Sequence, residues 1–193
     1  MPPKQKITRE EILRSAYELA LREGYTSISS RNVARAAGCS VQPVFSHFPT
    51  MEILRRETYR YACKVCAEEV LNNNDAEKIP DILTHWMLDL AKNRPNLFEL
   101  LYLSNLDAGS FVHPKIMQAE NHLKMRETIA ATYDLSPEAS EDLLIRSCIF
   151  LMGIGTMICI NKVDVAEEDA LKLMRATVHD FVAGEHRADA EKL

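Results

Sequence analysis

Gln42 carries the most specific chemistry in the sequence. Its side-chain amide sets a donor beside an acceptor, the pattern with which Gln bonds adenine bidentately. It sits in the run SSRNVARAAGCSVQPVFSHF, residues 29–48, among Arg31, Ser40, Val41, Pro43, Phe45 and His47. A second cluster that invites a chemical reading is Cys63-Lys-Val-Cys66, two thiols one helical turn apart. A structural zinc would need further ligands at defined spacing, and a redox sensor would need exposed thiols of low pKa. Buried packing is therefore the expectation for both cysteines. No phosphate-binding loop or nucleophile motif occurs, so neither an enzyme nor a cofactor is expected.

The elements that must position Gln42 are helical. Thr8 with Glu11 has the spacing of a capping box, and Ile7 with Ile12 that of a hydrophobic staple, so a first helix starts at residue 9 and stops at Gly24. Ser29 caps a second helix over 30–37, which Gly38 ends, and Ser40 caps a third over 41–47. Two short helices joined through a left-handed Gly make a helix-turn-helix. Val33, Ala34, Ala37, Val44 and Phe48 have the spacing to face inward, which leaves Arg31, Arg35, Val41, Gln42, Phe45, Ser46 and His47 outward. Ser40 reads first as an N-cap and second as a phosphate contact. Gln42 is a base reader or a solvated side chain, and Pro43 fits the first helical turn, where its missing N–H has no partner, with a thymine methyl as a further contact. His47 and Arg31 divide between backbone contacts and plain surface charge.

A fourth helix starts at Pro49-Thr50 and runs to the NNND at 72–75. Further helices are expected over about 76–93, 95–106, 114–133, 138–161 and 165–184, with the charged residues after Gly184 fraying. No segment alternates with period two between turn signals, so the predicted fold is all-α, about nine helices. The predicted division is a three-helix helix-turn-helix domain over 1–49 and a larger helical domain over 50–193.

Charge supports this division. Residues 1–60 hold ten Lys or Arg against six Glu, a net +4, while residues 61–193 hold 13 against 22, a net −9. A basic head on an acidic body suits a polyanion bound locally. The opening MPPKQK lacks the apolar stretch of an export signal, and the 14-residue apolar run Ser147–Ile160 is short of the roughly 20 residues a bilayer span needs. The five Cys follow no disulfide framework, so a reducing cytoplasm and no membrane are expected.

The run REEILRSAYELALREGYTSISSRNVARAAGCSVQPVFSHFPTMEIL, residues 9–54, resembles the DNA-binding domain of the TetR family of transcriptional regulators. REEIL opens helix one, EGY closes it, VARAAGCS matches helix two and the turn, and HFPTMEIL matches the start of helix four. The resemblance covers about a quarter of the chain. It implies a homodimer, a two-fold symmetric operator in double-stranded DNA, and a small-molecule effector in the body that sets DNA affinity, usually by relieving repression. It places DNA contacts at Arg31, Ser40, Val41, Gln42, Pro43, Phe45, His47 and Thr50. Two positions depart from the family pattern: Phe45 stands where Tyr is usual, and Met51 where Lys is frequent. Both positions commonly touch phosphates in the family, so weaker and less salt-dependent binding is expected. Thr50 offers partial replacement as a cap whose helix start faces a phosphate.

In the body, Trp86, Phe98, Tyr102, Phe111, His113, Met117 and Met125 are large apolar or aromatic side chains with few polar tips. They read as core, or in part as the wall of a cavity for a modest-sized apolar or aromatic effector. The last two helices are the expected dimer element, with Leu144, Leu151, Ile154, Met174, Val178 and Phe181 at the interface. Gly153 and Gly155, mid-helix, suggest a close approach by another helix. Two competing functions remain on sequence alone. One is an all-helical enzyme or metal- or redox-sensing protein; the other is a helix-turn-helix that acts only through protein partners.

Overall fold

The computed structural model describes residues 7–71, 78–104, 106 and 119–190. Among them every regular element is helical: α1 Arg9–Glu23, α2 Ser30–Ala36, α3 Val41–His47, α4 Met51–Leu71, α5 Ile79–Asn93, α6 Pro95–Phe98, α7 Ala119–Tyr133, α8 Pro137–Cys159 and α9 Glu167–Ala190. A 3-10 turn follows α1 at Tyr25–Ser27, and a π turn, Glu99–Leu103, continues α6. Contacts divide the chain into two compact units, Met1–Val65 with Asn96–Gly109, and Cys66–Pro95 with Ser110–Leu193. The boundary falls inside α4, which is continuous through it.

In the first unit the caps predicted at Thr8 and Ser29 form. The Thr8 side chain accepts from Glu11 N–H at 3.2 Å, and Glu11 Oε2 accepts from Thr8 N–H at 2.7 Å, closing the capping box. The Thr8 hydroxyl also donates to Glu11 Oε2 at 2.9 Å, and the bonds from Thr8 N–H and from this hydroxyl hold the Glu11 carboxyl below its ordinary range. Gly24 at φ 82 and Gly38 at φ 66 take left-handed backbone, the conformation that lets α1 and α2 stop where they do. The core consists of Ile12, Ala16, Leu19 and Ala20 of α1, Ile28, Val33 and Ala34, Val44 and Phe48, and Leu54 of α4. Phe98, Leu100 and Leu101 are also buried. Ala37 is only half-buried, because it is the C-cap of α2 rather than an inward helical position.

In the second unit α5 packs on α8 and α9, and α8 also packs on α7 and α9. The α8 helix is long and apolar enough to cross a bilayer by length and composition, although less than half of its most apolar window is buried. Its first half bears Glu138, Glu141, Asp142 and Arg146, and its buried face packs on the other helices of this unit. The α9 helix does not stop at Gly184. It runs on to Ala190, which corrects the expected fraying after that glycine. The residues that follow Gly184 are mostly good helix formers. In addition His186 Nε2–H reaches two carbonyls at the end of α7, Tyr133 O at 3.0 Å and Asp134 O at 3.2 Å. The helix expected over 95–106 is also different: its α-helical part closes at Phe98 and the π turn ends at Leu103.

Arg175 of α9 clasps Asp81 in the first turn of α5 through two hydrogen bonds, the one from Nε at 2.8 Å. Those bonds from Arg175 hold the Asp81 carboxyl below the usual carboxylate range. A carboxylate depressed on folding adds stability that is present above its unfolded pKa, about 3.9. That stability is lost as pH falls through the folded value. Arg175→Met should therefore lower the melting temperature only slightly at pH 7, since an ion pair this exposed contributes little. Thermal melts from pH 7 down to pH 3 should show the gap to the parent protein closing at the acid end.

Candidate nucleic-acid interface

The site is built around α3, which has seven residues and therefore no core of its own. Val44 and Phe48 anchor it from beneath, both fully or almost fully buried. Phe48 is gripped from the other side by the Arg9 guanidinium, 4.7 Å from the ring centroid, and Arg9 is itself paired with Glu57 at 3.1 Å. Asn32 ties α2 down by donating to Ser27 O at 2.9 Å. Arg55 of α4 donates from Nε and Nη2 to Ile28 O at 3.0 and 2.9 Å, which fixes the loop before α2. Arg9, Asn32 and Arg55 support the site without any signal in local spacing, since their partners lie 48, 5 and 27 residues away.

On this platform the outward residues are Gln42, Phe45, Ser46 and His47, with Val41 and Pro43 half-buried at the margin. Ser40 occupies the N-cap position of α3 at φ −80 and ψ 169, but its hydroxyl makes no cap hydrogen bond. The sequence ranked capping first for Ser40; the geometry leaves the hydroxyl available outside the helix. Thr50 does cap: its Oγ1 accepts from Ile53 N–H at 3.2 Å at the start of α4. Phe45 is 43% exposed, a large apolar side chain held out in solvent by its neighbours' burial. Arg31 is exposed on the first turn of α2 and no ion pair engages it among the described residues, whereas Arg35 donates to Asn32 Oδ1 at 3.2 Å. His47 is exposed but already occupied, for its Nε2 lies 3.1 Å from Ile7 O. A carbonyl only accepts, so that nitrogen carries the proton. The surface thus offers amide, hydroxyl and apolar groups along α3 and guanidinium groups on α2, which is hydrogen-bonding and contact chemistry.

Of the effector residues expected from sequence, the described structure places four, two in each unit. Phe111, His113 and Met117 lie outside the described residues. Phe98 and Tyr102 belong to the first unit, their ring centroids 5.2 Å apart, with Phe98 fully buried. Trp86 and Met125 belong to the second, where Met125 is buried and Trp86 Nε1 donates to Glu69 Oε2 at 3.3 Å. A groove of about 480 Å³ in that unit runs along α9 past Asp81, Tyr133, Arg175, His179 and His186, and none of the expected residues lines it.

The expected interface residues turn inward. Leu144, Leu151, Ile154, Met174 and Val178 are buried within this one chain, and Phe181 is half-buried beneath the Arg146 guanidinium at 5.0 Å. Side chains already buried in the protomer are not free to meet a partner. The outward apolar positions of α8 and α9 are instead Ile149, Met157 and Leu173, at 52%, 45% and 54% exposure, with Ile160 just past the end of α8.

Among the described residues no group of three or more His, Cys, Asp or Glu is placed to hold a metal ion. Cys63 and Cys66 are buried. Burial, with Glu141 adding to it, pushes the Cys148 thiol up to about 11, and burial pushes Cys39 up as well. Thiols so shifted hold little thiolate at neutral pH and are poor redox nucleophiles.

Residues 12–58 match the family model described as bacterial regulatory proteins, tetR family. Among solved structures, multidrug binding protein EbrR complexed with imidazole is 21% identical, with a TM-score of 0.61 over 88% of this chain and 88% of that one. EbrR complexed with ethidium is 20% identical, with a TM-score of 0.60 over 88% and 97%. A tetR-family transcriptional regulator from Streptomyces coelicolor is 16% identical, with a TM-score of 0.63 over 91% and 78%. At those identities the likeness is one of fold. No curated protein is a significant match to the chain.

Proposed function

We propose that the chain is a transcriptional regulator of the TetR family, whose model its residues 12–58 match, and that it acts as a ligand-responsive repressor. It binds a two-fold symmetric operator as a homodimer in the cytoplasm and regulates rather than catalyses. The observation that carries this reading is α3 itself: a seven-residue helix pinned by Val44 and Phe48, with Gln42 and Phe45 held outward. Laid in the major groove, such a helix presents Gln42 to a base edge, Ser40 and Arg31 to phosphates, and Val41, Pro43 and Phe45 to methyl groups and sugars. Thr50, capping α4, puts that helix start beside a phosphate.

On this reading the dimer forms through the outward faces of α8 and α9. Ile149, Gly153, Met157 and Ile160 follow helical spacing along one side of α8. A Cβ added at Gly153 would meet nothing within 4 Å, so the protomer's own packing does not call for glycine there. A mid-helix Gly costs about 1 kcal/mol relative to Ala, and a partner helix crossing closely at that point gives it a reason. Pairing α8 and α9 with their copies makes a four-helix bundle with a two-fold axis, which sets two reading heads about 34–36 Å apart.

The effector half of the proposal draws on the solved relatives, where EbrR is described as a multidrug binding protein complexed with imidazole and with ethidium. An apolar or aromatic effector taken up among the middle helices, with Trp86 and Met125 in its wall, would favour a state whose heads no longer match the half-site spacing.

The experiment that tests the function is selection of duplexes from a random pool by the folded protein at two salt concentrations. A two-fold symmetric motif should be enriched, and affinity should fall at the higher salt. Gln42→Ala should then relax the preference at one position per half-site by about 1–3 kcal/mol. No enrichment at either salt sinks the proposal and favours action through protein partners alone.

A further inference from the structure

The third helix has few groups with which to read a base. Over Val41–His47 it carries no Lys, Arg, Asn, Asp or Glu. Arg and Lys are the side chains that bond guanine O6 and N7, and Asp and Glu accept from the cytosine amino group. The charged readers of a G·C pair are thus missing from α3. Two of the polar groups it does carry are spent inside the protein. Ser46 Oγ donates to Gln42 O at 3.0 Å, and His47 Nε2–H donates to Ile7 O at 3.1 Å. Ser40 stands before the helix, at the N-cap position. Arg31 and Arg35 belong to α2, the helix that crosses the phosphate backbone in a helix-turn-helix.

What α3 holds outward is one amide beside apolar carbon. Gln42 is exposed, and Phe45 is 43% exposed one helical turn further on. Val41, half-buried, lies one turn before Phe45 on the same side. Phe45 has no hydroxyl and no charge, so its ring has nothing to donate to a phosphate. In the major groove an A·T pair presents the adenine N6 and N7 that Gln bonds bidentately, and beside them the thymine C5-methyl. One kind of base pair therefore matches both the amide and the ring. The net +4 of residues 1–60 favours a polyanion of any sequence, which leaves discrimination to these few side chains.

We propose that α3 reads A·T pairs alone: Gln42 bonds an adenine, and Phe45, backed by Val41, packs on a thymine methyl of the same half-site. Phe45 is on this account a base reader and not a backbone contact. The inference rests on the DNA-binding reading and narrows it to one class of operator, with thymine methyls facing α3 in each half-site.

The test uses the full chain and the duplex that it enriches from the random pool. The position at which Gln42→Ala relaxes the preference marks where α3 lies, and it should be an A·T pair. Deoxyuridine in place of thymine at that pair and at its two neighbours, one at a time, keeps the pairing and removes only the methyl. At one of these positions the exchange should weaken binding about fourfold, the equivalent of one buried methyl group, and roughly fifteenfold when made in both half-sites. The same exchange outside the half-sites serves as the control and should change nothing. Phe45→Ala, at an exposed position, should leave the melting temperature near that of the parent. It should weaken binding to the thymine duplex and much less to the deoxyuridine duplex, where the methyl it covers is already gone. The proposal is overturned by a G·C pair at the Gln42 position, or by no position that answers to Gln42→Ala. It is equally overturned by deoxyuridine without effect at all three pairs, or by a Phe45→Ala loss that is the same on both duplexes, the mark of a sugar or phosphate contact. Any of these results with a duplex that the parent does enrich sinks this proposal only. If the parent enriches no duplex at all, the DNA-binding reading fails and this proposal fails with it.

Discussion

Phe48→Ala should destabilise the first unit by about 3–5 kcal/mol, the range for truncating a fully buried aromatic side chain. The ring is 1% exposed, ends α3, and carries the Arg9 guanidinium on its face. Its removal opens a cavity beneath the recognition helix and releases Arg9 from the stack. Small domains are stable by only about 5–15 kcal/mol, so such a loss approaches the whole stability of a unit this size. Denaturant unfolding and amide exchange in residues 30–50 should show the change directly, and affinity for the selected duplex should fall with it. A loss below about 1 kcal/mol would mean that α3 is held chiefly by something other than this ring.

Gly153→Arg is expected to abolish the proposed dimer while leaving the protomer folded. Open space surrounds the position within one chain, and exchanging a mid-helix Gly for Arg gains helix propensity, so monomer stability should hold or rise by up to about 1 kcal/mol. A partner helix seated on the Ile149–Met157 stripe would meet both the bulk and an unpaired charge. Sedimentation should therefore report a folded monomer, and operator affinity should collapse, because a single head forfeits the second half-site. A dimer that survives this change would move the interface elsewhere on the body. The contrast with Phe48→Ala is instructive: one variant loses binding through folding, the other through assembly.

Much of the first unit is legible in the sequence because its determinants are local. The capping box at Thr8 and Glu11, the left-handed glycines 24 and 38, and Ser29 before α2 all act within five residues, and the predicted bounds of α3 are the observed ones. What spacing does not carry is the long-range bracing. Nothing around Arg55 announces Ile28 O, and nothing around Arg9 announces Phe48. The α8 helix fails for a different reason. Between Ser147 and Ile160 it is apolar nearly all round, so periodicity cannot tell its inner face from its outer one. Leu144, Leu151 and Ile154 proved to face the protomer core, while Ile149 and Met157, equally apolar by type, face out. For the effector wall, an aromatic or Met side chain at helical spacing serves a core and a cavity alike, as Phe98 and Met125 show by their burial.

The segment that continues α6 bears on how such a protein can be rebuilt. Asn96 and the buried Phe98, Leu100 and Leu101 belong to the same compact unit as α1 to α3, and the Asn96 side chain donates to Leu21 O at 2.9 Å, at the end of α1. The reading head is therefore not a cassette encoded in one piece. A recombinant that exchanges only the first 65 residues for those of a relative inherits the donor's α1 and the recipient's Asn96 segment, two halves of one core drawn from different parents. New operator specificity is more readily acquired by altering the outward side chains of α3 in place, because those changes leave that discontinuous core intact.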